Sequence, residues 1–415
     1  MTANLQSLFG LCVFFGLCYI ASENRAAIRL KLILPSLILQ FLLALALLKM
    51  PAMQQLFVVL NKLVLALQQA TEAGTSFIFG FLGGGALPFE ENAPGASYVL
   101  AFRALPIILI TSVISALLVY WRILPAIMRG VSKLLERTLG IGGAVGLSVS
   151  ANAFIGMVES PLLIRPYLAR LTRSELFAVM CAGMATISGT MLALEASVIG
   201  HVVPDAVGHL LSASLITLPG VILVAHLLIP ETGEITTGKA EIDRGADSAM
   251  DAVTKGTQTG LNLLLNIIAM IIVMVALVHL INAGLGLLPE IGGSVITLER
   301  LLGFFMAPVT WLMGIPWSEA ITTGQLMGIK TILTEFIAYI NLGKIPADEL
   351  TVRSRIIMTY ALCGFANFVS LGIMLTGLII MVPERRAEIL DLGFKSIIGG
   401  TVATSCTAAI IGVVL

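Results

Sequence analysis

The sequence predicts an all-α integral membrane protein with about eight transmembrane helices, two re-entrant helical hairpins and further interfacial helices. Three observations carry that prediction. Of 415 residues, 58% are hydrophobic and 12% charged, about half the ~25% charge of an ordinary soluble domain. Apolar stretches of about 20 residues, the length a helix needs to cross a bilayer, recur along the chain. Other apolar stretches are broken by glycine or proline beside a carboxylate, which fits short helices entering and leaving on one side.

Taken in order, spans are expected at 5–22, 30–49, 98–121, 175–199, 207–229, 258–286, 354–382 and 393–415. The first reads as a retained span rather than a cleaved signal, because Arg25, Arg29 and Lys31 follow its apolar run and no basic residue precedes it. The stretch 51–70 mixes Gln54, Asn61, Lys62 and Gln68 with leucines and valines. It reads as a helix in the membrane interface or packed on a neighbour. The stretch 123–139 is amphipathic and basic and also reads as interfacial. The polar loop 230–257, with Glu231, Glu234, Glu241, Asp243, Asp247 and Asp251, is a linker.

The chain thus divides into N-terminal scaffold helices with an interfacial helix (1–122), a first repeat (123–229, hairpin near 144–168), a linker with a long scaffold helix (230–290), and a second repeat with the C-terminal helices (291–415, hairpin near 317–342). Sixteen of the 24 basic residues fall in the loops near 23–31, 122–137, 165–173, 230–257 and 385–395. The positive-inside rule places those loops in the cytoplasm and both termini outside a cytoplasmic or inner membrane.

Composition also excludes functions. The 24 basic and 24 acidic residues leave no net charge, against the basic footprint of a nucleic-acid-binding protein. Five scattered cysteines form neither a disulfide framework nor a zinc motif. The four histidines lack metal-ligand spacing, and no hydrolase or phosphate-loop motif occurs, so no enzyme is expected. Thr186-Ile187-Ser188-Gly189 superficially matches an intramembrane serine nucleophile, but no histidine accompanies it in the next span.

Leu-Glu-Arg-Thr-Leu-Gly at 135–140 is echoed by Leu-Glu-Arg-Leu-Leu-Gly at 298–303. After each comes an interrupted stretch with a carboxylate, Glu159 or Glu335, then a span with small and polar residues midway. Three crossings separate the copies, so they point in opposite directions. Inverted repeats with broken helices point to a secondary transporter whose site lies at the repeat interface.

Ionisable groups at membrane depth cost at least ~2.5 kcal/mol each and mark function by default. Glu159 and Glu335 hold matched places. Structural pairing with Lys330, Arg103 or a helix N-terminus is the alternative. Asn367 and Ser370, three apart, fall on one helix face with Phe365 about half a turn away, and their hydrogen-bonding groups suit substrate hydroxyls. Asn152 and Thr186 are uncharged oxygen donors that could hold Na⁺ with backbone carbonyls. Arg103 reads as snorkelling from a span end, and Glu195 has no assigned role.

The same residues carry a resemblance. The segments ANAFIGMVESPLLIRPYL (151–168), GMATISGTMLA (183–193), GIKTILTEFIAY (328–339) and YALCGFANFVSLGI (360–373) are similar to those of the concentrative nucleoside transporter family. The resemblance implies a homotrimer whose mobile transport domains carry nucleosides inward by an elevator movement driven by a cation. It implies that Glu335, Asn367 and Ser370 bind ribose hydroxyls, that Phe365 packs near sugar and base, and that Glu159 faces the base. Gly156, Met157, Val158 and Met191 complete the implied substrate lining. The implied cation site comprises the Asn152 side chain, the Ile155 carbonyl, the Thr186 hydroxyl and the Ile187 carbonyl.

Two departures stand out. The family's usual Gly-Gln-Thr-Glu is here Gly156-Met157-Val158-Glu159, and Met and Val cannot read a base by hydrogen bonds. Thr334-Glu335-Phe336 replaces the more usual Asn-Glu-Phe. The expectation is nucleoside import by symport with Na⁺ ahead of H⁺. A nucleobase or modified-nucleoside carrier is the runner-up, and a channel or intramembrane hydrolase is the different-class alternative.

Overall fold

Apolar length sets the framework. A computed structural model describes residues 3–92, 96–236, 245–290, 293 and 295–415, and regular structure among them is entirely helical. Lys239, Glu241, Asp243 and Arg244, counted above with the 230–257 loop, lie outside the described residues. Helices α1 (Ala3–Ile20) and α2 (Leu30–Lys49) coincide with the first two expected spans. Helix α3 (Pro51–Phe79) starts with proline at its first position, where a missing N–H costs nothing. It runs nine residues beyond the expected stretch and packs on a neighbour, with the Phe57 ring seated against Gly208.

Two short helices follow, α4 (Leu100–Arg103) and α5 (Ile107–Tyr120). The expected span 98–121 is therefore interrupted before Pro106, which has no N–H to continue the ladder. Arg103 ends α4 and lies over the Tyr98 ring, 6.0 Å from its centroid. Helix α6 (Ile123–Leu139) ends at Gly140, whose φ of 64° is the usual left-handed glycine stop. Next come α7 (Gly143–Ile155), α8 (Glu159–Leu162) and α9 (Arg165–Leu168), the first hairpin.

Helix α10 (Arg173–Ala185) opens with a capping box in which Thr172 and Glu175 bond each other's backbone N–H. It is followed by α11 (Gly189–Ile199) and α12 (Ala206–Leu228). Helix α13 (Ala249–Leu285) has 37 residues, about 55 Å at 1.5 Å per residue, well beyond a ~30 Å hydrocarbon core. Helix α14 (Leu298–Leu312) turns by 118° into α15 (Trp317–Ile332), and α16 (Glu335–Lys344) completes the second hairpin. The chain closes with α17 (Val352–Leu362), α18 (Phe368–Met381) and α19 (Arg386–Val414).

Seven described segments are long and apolar enough to cross a membrane. The remaining expected span, 354–382, is split between α17 and α18. Burial sorts the helices into layers: 89% of the window over α10–α11 is buried against 11% for α13. Helices α10, α11, α12 and α19 form the centre, and α13 is peripheral with an apolar surface that includes Leu265, Ile272 and Leu280.

The ends of the central helices are tied by charge. Arg173 pairs with Glu23 at 2.9 Å and with Asp391, and Lys395 reaches Glu23 at 2.7 Å. The Arg173 guanidinium holds the Glu23 carboxyl below the usual carboxylate range. All four lie in or at the ends of the basic loops near 23–31, 165–173 and 385–395.

Two readings need correction. The spans 175–199 and 354–382 are not continuous: α10 stops before α11 at Thr186–Ser188, and α17 stops before α18 at Cys363–Asn367. The two Leu-Glu-Arg hexapeptides are also not equivalent in place. The first ends α6, whereas the second starts α14. The regularity that survives is the order of elements: amphipathic helix, hairpin, broken span, twice.

Candidate functional site

The four interruptions converge. Helix α7 ends at Gly156, whose φ of 102° lets the chain turn into the tip of the first hairpin. A Cβ there would lie 2.9 Å from Glu159 Oε2 and 3.5 Å from Ser188 Cβ. The tip thus sits against the first broken span. Gly189 approaches the Phe154 carbonyl, at 3.1 Å from where its Cβ would stand. The two broken spans then cross each other. A Cβ on Gly364 would lie 2.8 Å from both C and O of Ala185. Finally, Asn367 Nδ2 donates to Glu335 Oε2 at 2.9 Å, joining the second broken span to the second hairpin.

Three of the four resumed helices, α11, α16 and α18, begin on a side-chain cap, as an N-terminus inside apolar surroundings requires; α8, after Val158, does not. The Ser188 hydroxyl accepts from Met191 N–H at 3.4 Å. Thr334 caps α16 by accepting from Ile337 N–H, also at 3.4 Å. Asn367 Oδ1 accepts from Ser370 N–H at 2.7 Å. Asn367 and Ser370 are therefore cap and first-turn residue, not a face within one helix, and Phe365 lies in the break, its carbonyl accepting from Asn367 N–H at 2.7 Å. Helix N-termini carry partial positive charge, and two of them, those of α16 and α18, meet at the Glu335 carboxyl. Glu335 is the first residue of α16 and is buried.

The oxygen donors near the other crossing are equally ordered. Asn152 Nδ2 donates to the Ala182 carbonyl at 2.7 Å and to Thr186 Oγ1. Its Oδ1 accepts from Ser160 Oγ at 3.1 Å. The Thr186 hydroxyl donates to the Ala182 carbonyl at 3.1 Å. With both amide hydrogens of Asn152 committed, Oδ1 and the Thr186 hydroxyl oxygen are held at the ends of α7 and α10. Ile155 and Ile187 occupy those same two ends. The donor set contains no carboxylate, which suits a hard monovalent cation better than a divalent one.

Not every expected residue joins this centre. Met157 packs on Gly183, with Met374 on the same glycine, and Val158 packs on Gly377 of α18. Both are half-buried. Glu159 is exposed at the hairpin tip, turned toward Gly156. Met191 is buried in the first turn of α11. Lys330 is fully buried, but its Nζ donates to the Ala361 carbonyl at 2.7 Å and to Thr404 Oγ1 at 3.2 Å, not to a carboxylate. Ser188 bonds Thr190 Oγ1 at 2.8 Å besides its cap, so it has the place of a helix cap, not of a nucleophile. Among the histidines, His209 Nδ1 pairs with Tyr360 Oη at 3.0 Å, a structural contact.

The reading missed Ser188 as a cap and the buried environment of Glu195. The signal for the first was present: Ser188-Gly189 and Asn367 each precede an apolar run, as helix starts do.

Comparison with known proteins agrees with this architecture. Models described as the Na⁺ dependent nucleoside transporter N-terminus, nucleoside recognition (Gate) and the Na⁺ dependent nucleoside transporter C-terminus match residues 9–82, 101–202 and 209–412. The chain is 33% identical over 417 residues to the nucleoside permease NupC of Helicobacter pylori, covering 99% of this chain and 97% of that one. It is 35% identical over 413 residues to the uncharacterised transporter YutK of Bacillus subtilis, covering 98% of each. A solved structure of CNTnw in an inward-facing substrate-bound state has a TM-score of 0.90 at 32% identity, covering 99% of this chain and 98% of that one. A variant of CNTnw in an outward-facing state has a TM-score of 0.91 at 32% identity, covering 99% and 97%. The chain belongs to the concentrative nucleoside transporter family.

Proposed function

We propose that this protein imports nucleosides across the cytoplasmic membrane by symport with a cation, Na⁺ ahead of H⁺. The observation that carries the proposal is the buried Glu335–Asn367 pair at the junction of the second hairpin and second broken span. A carboxylate accepts and an amide both donates and accepts, so together they match vicinal hydroxyls of a ribose. Ser370 extends this polar edge, and Phe365 and Met191 supply an apolar wall for sugar and base. Glu159 at the first hairpin tip faces the base, with Gly156 allowing the tip to approach closely.

The cation is held by Asn152 Oδ1, the Thr186 hydroxyl and the Ile155 and Ile187 carbonyls. When bound, it supplies positive charge between two helix ends and fastens the first hairpin to the first broken span. Loading is thereby coupled to a closed tip. The two units 123–229 and 291–415 act as inverted repeats of a transport domain, and 1–122 and 230–290 as scaffold. CNTnw is known in inward-facing, outward-facing and intermediate states, which supports an elevator movement for this relative. A homotrimer would cover part of the exposed apolar surface of α13. Both termini face outward in this reading.

The tip composition makes base selectivity the open variable. Met157 and Val158 offer no base-reading hydrogen bonds, so selection rests on shape. A thermal-shift panel of purine and pyrimidine ribonucleosides, nucleobases and free ribose tests the assignment. Ribonucleosides are expected to stabilise the purified protein, by about 2.7 kcal/mol at a hundredfold excess over Kd, with little preference among bases. Stabilisation by nucleobases alone would favour the runner-up carrier and overturn the ribose contacts. The double variant Met157→Gln, Val158→Thr is expected to sharpen discrimination about fivefold, the value of one neutral hydrogen bond near 1 kcal/mol.

A further inference from the structure

Glu195 lies in α11 with no exposed surface, and neither carboxylate oxygen has a hydrogen-bond partner. A charged carboxylate in such a place is expensive unless paired and hydrogen-bonded. The charged groups acting on it are Glu335 of α16 and Lys330 of α15. Tyr339 of α16 and Cys363 in the second break also belong to this cluster. The other helices packed on α11 are α3, α5, α7 and α12. Their titratable groups, Lys62, Glu72, Tyr120, His209 and His226, are not among those that act on Glu195; α7 has none.

Charge counting then decides between two carboxyls. Lys330 brings one positive charge to a buried cluster with two acids, so ionising both leaves an uncompensated negative charge. Glu335 accepts from Asn367 Nδ2 and heads a helix, both of which favour its anionic form. Glu195 has neither support. The proton therefore belongs to Glu195.

We propose that Glu195 is a proton-binding site that sets the charge of the cluster around substrate-binding Glu335, making transport pH-linked whichever cation fills the Asn152–Thr186 set. This rests on the symport reading above. With the carboxyl protonated, Lys330 balances Glu335 alone and the centre is neutral when substrate binds. Deprotonation breaks the O–H bond, delivers H⁺ to water, leaves both electrons on the carboxylate and makes Glu195 compete with Glu335 for Lys330. Neither oxidant nor reductant is involved.

Infrared titration of the full-length protein in lipid reads the proton directly. Wild type is expected to show a protonated-carboxyl carbonyl band at neutral pH, absent in Glu195→Gln and in the apolar variant Glu195→Leu, and weakened in Glu335→Gln, where Lys330 is left for Glu195 to balance. In proteoliposomes, wild-type uridine uptake is expected to fall about tenfold per pH unit once Glu195 titrates, and Glu195→Gln to be insensitive over the same range. No such band in wild type, or a band that survives both Glu195 substitutions, overturns the proposal without reference to transport. A pH profile unchanged by Glu195→Gln overturns it too. A wild type that shows the Glu195 band yet takes up no nucleoside would instead overturn the transport reading while upholding the proton site.

Discussion

Glu335→Gln is expected to reduce nucleoside affinity and uptake by about 10- to 150-fold while the protein still folds. Hydrogen bonds to a charged group contribute about 1.5–3 kcal/mol, and each 1.4 kcal/mol is a factor of ten. The substitution is close to isosteric. The glutamine carbonyl can still accept from Asn367 Nδ2, the bond that ties the second hairpin to the second broken span. What it loses is the charge that ribose hydroxyls would meet and that the N-termini of α16 and α18 favour. Glu335→Ala is a harsher change, because it strands the buried Asn367 amide. It should lower stability by a further ~1–3 kcal/mol. Paired measurement of uptake and thermal stability separates the two variants. Uptake by Glu335→Gln at the wild-type rate would remove Glu335 from the site.

Gly364→Ala is expected to be strongly destabilising for a backbone reason. The added Cβ would stand 2.8 Å from Ala185 C and O and 3.0 Å from Met184 O, at a φ of +152°. These are backbone atoms of the opposing broken span and cannot swing aside as a long side chain would. Overpacking costs about 1–3 kcal/mol, and a residue forced into a sparsely populated backbone region roughly 1–3 kcal/mol more. Because the contact lies where the two broken spans cross, the loss should appear both in thermal stability and in substrate binding. Gly372→Ala in α18 is the control. A Cβ there meets nothing within 4 Å, and alanine is the better helix former by about 0.5–1 kcal/mol. Equal stability of the two variants would show that the crossing is not tightly packed.

The contrast between these positions explains what was legible in the sequence. Spans such as Leu30–Lys49 and Ala206–Leu228 coincide with their expectations because apolar length alone decides them. The hairpins were legible from Gly156, Pro161 and the carboxylates. The breaks at Thr186–Ser188 and Cys363–Asn367 were not, because the flanking residues are as apolar as those of a continuous helix. Part of what lies at the second break is tertiary: Gly364 meets Ala185, far away in sequence. Only Ser188 and Asn367 gave local notice, and both were read for their chemistry first. The hexapeptide echo misled in the opposite sense, since 135–140 and 298–303 occupy different ends of their helices. Glu195 was undecidable in sequence, since its significance comes from burial without partners beside Lys330 and Glu335.

The central claim is that this site couples a cation gradient to nucleoside movement. Accumulation of radiolabelled uridine or adenosine in proteoliposomes, under inward Na⁺ or H⁺ gradients and again after an ionophore collapses them, tests it most directly. Internal nucleoside is expected to rise above the external concentration under an inward gradient and to return to equality on collapse. Equilibration without accumulation under every gradient would contradict it and identify a passive pathway instead.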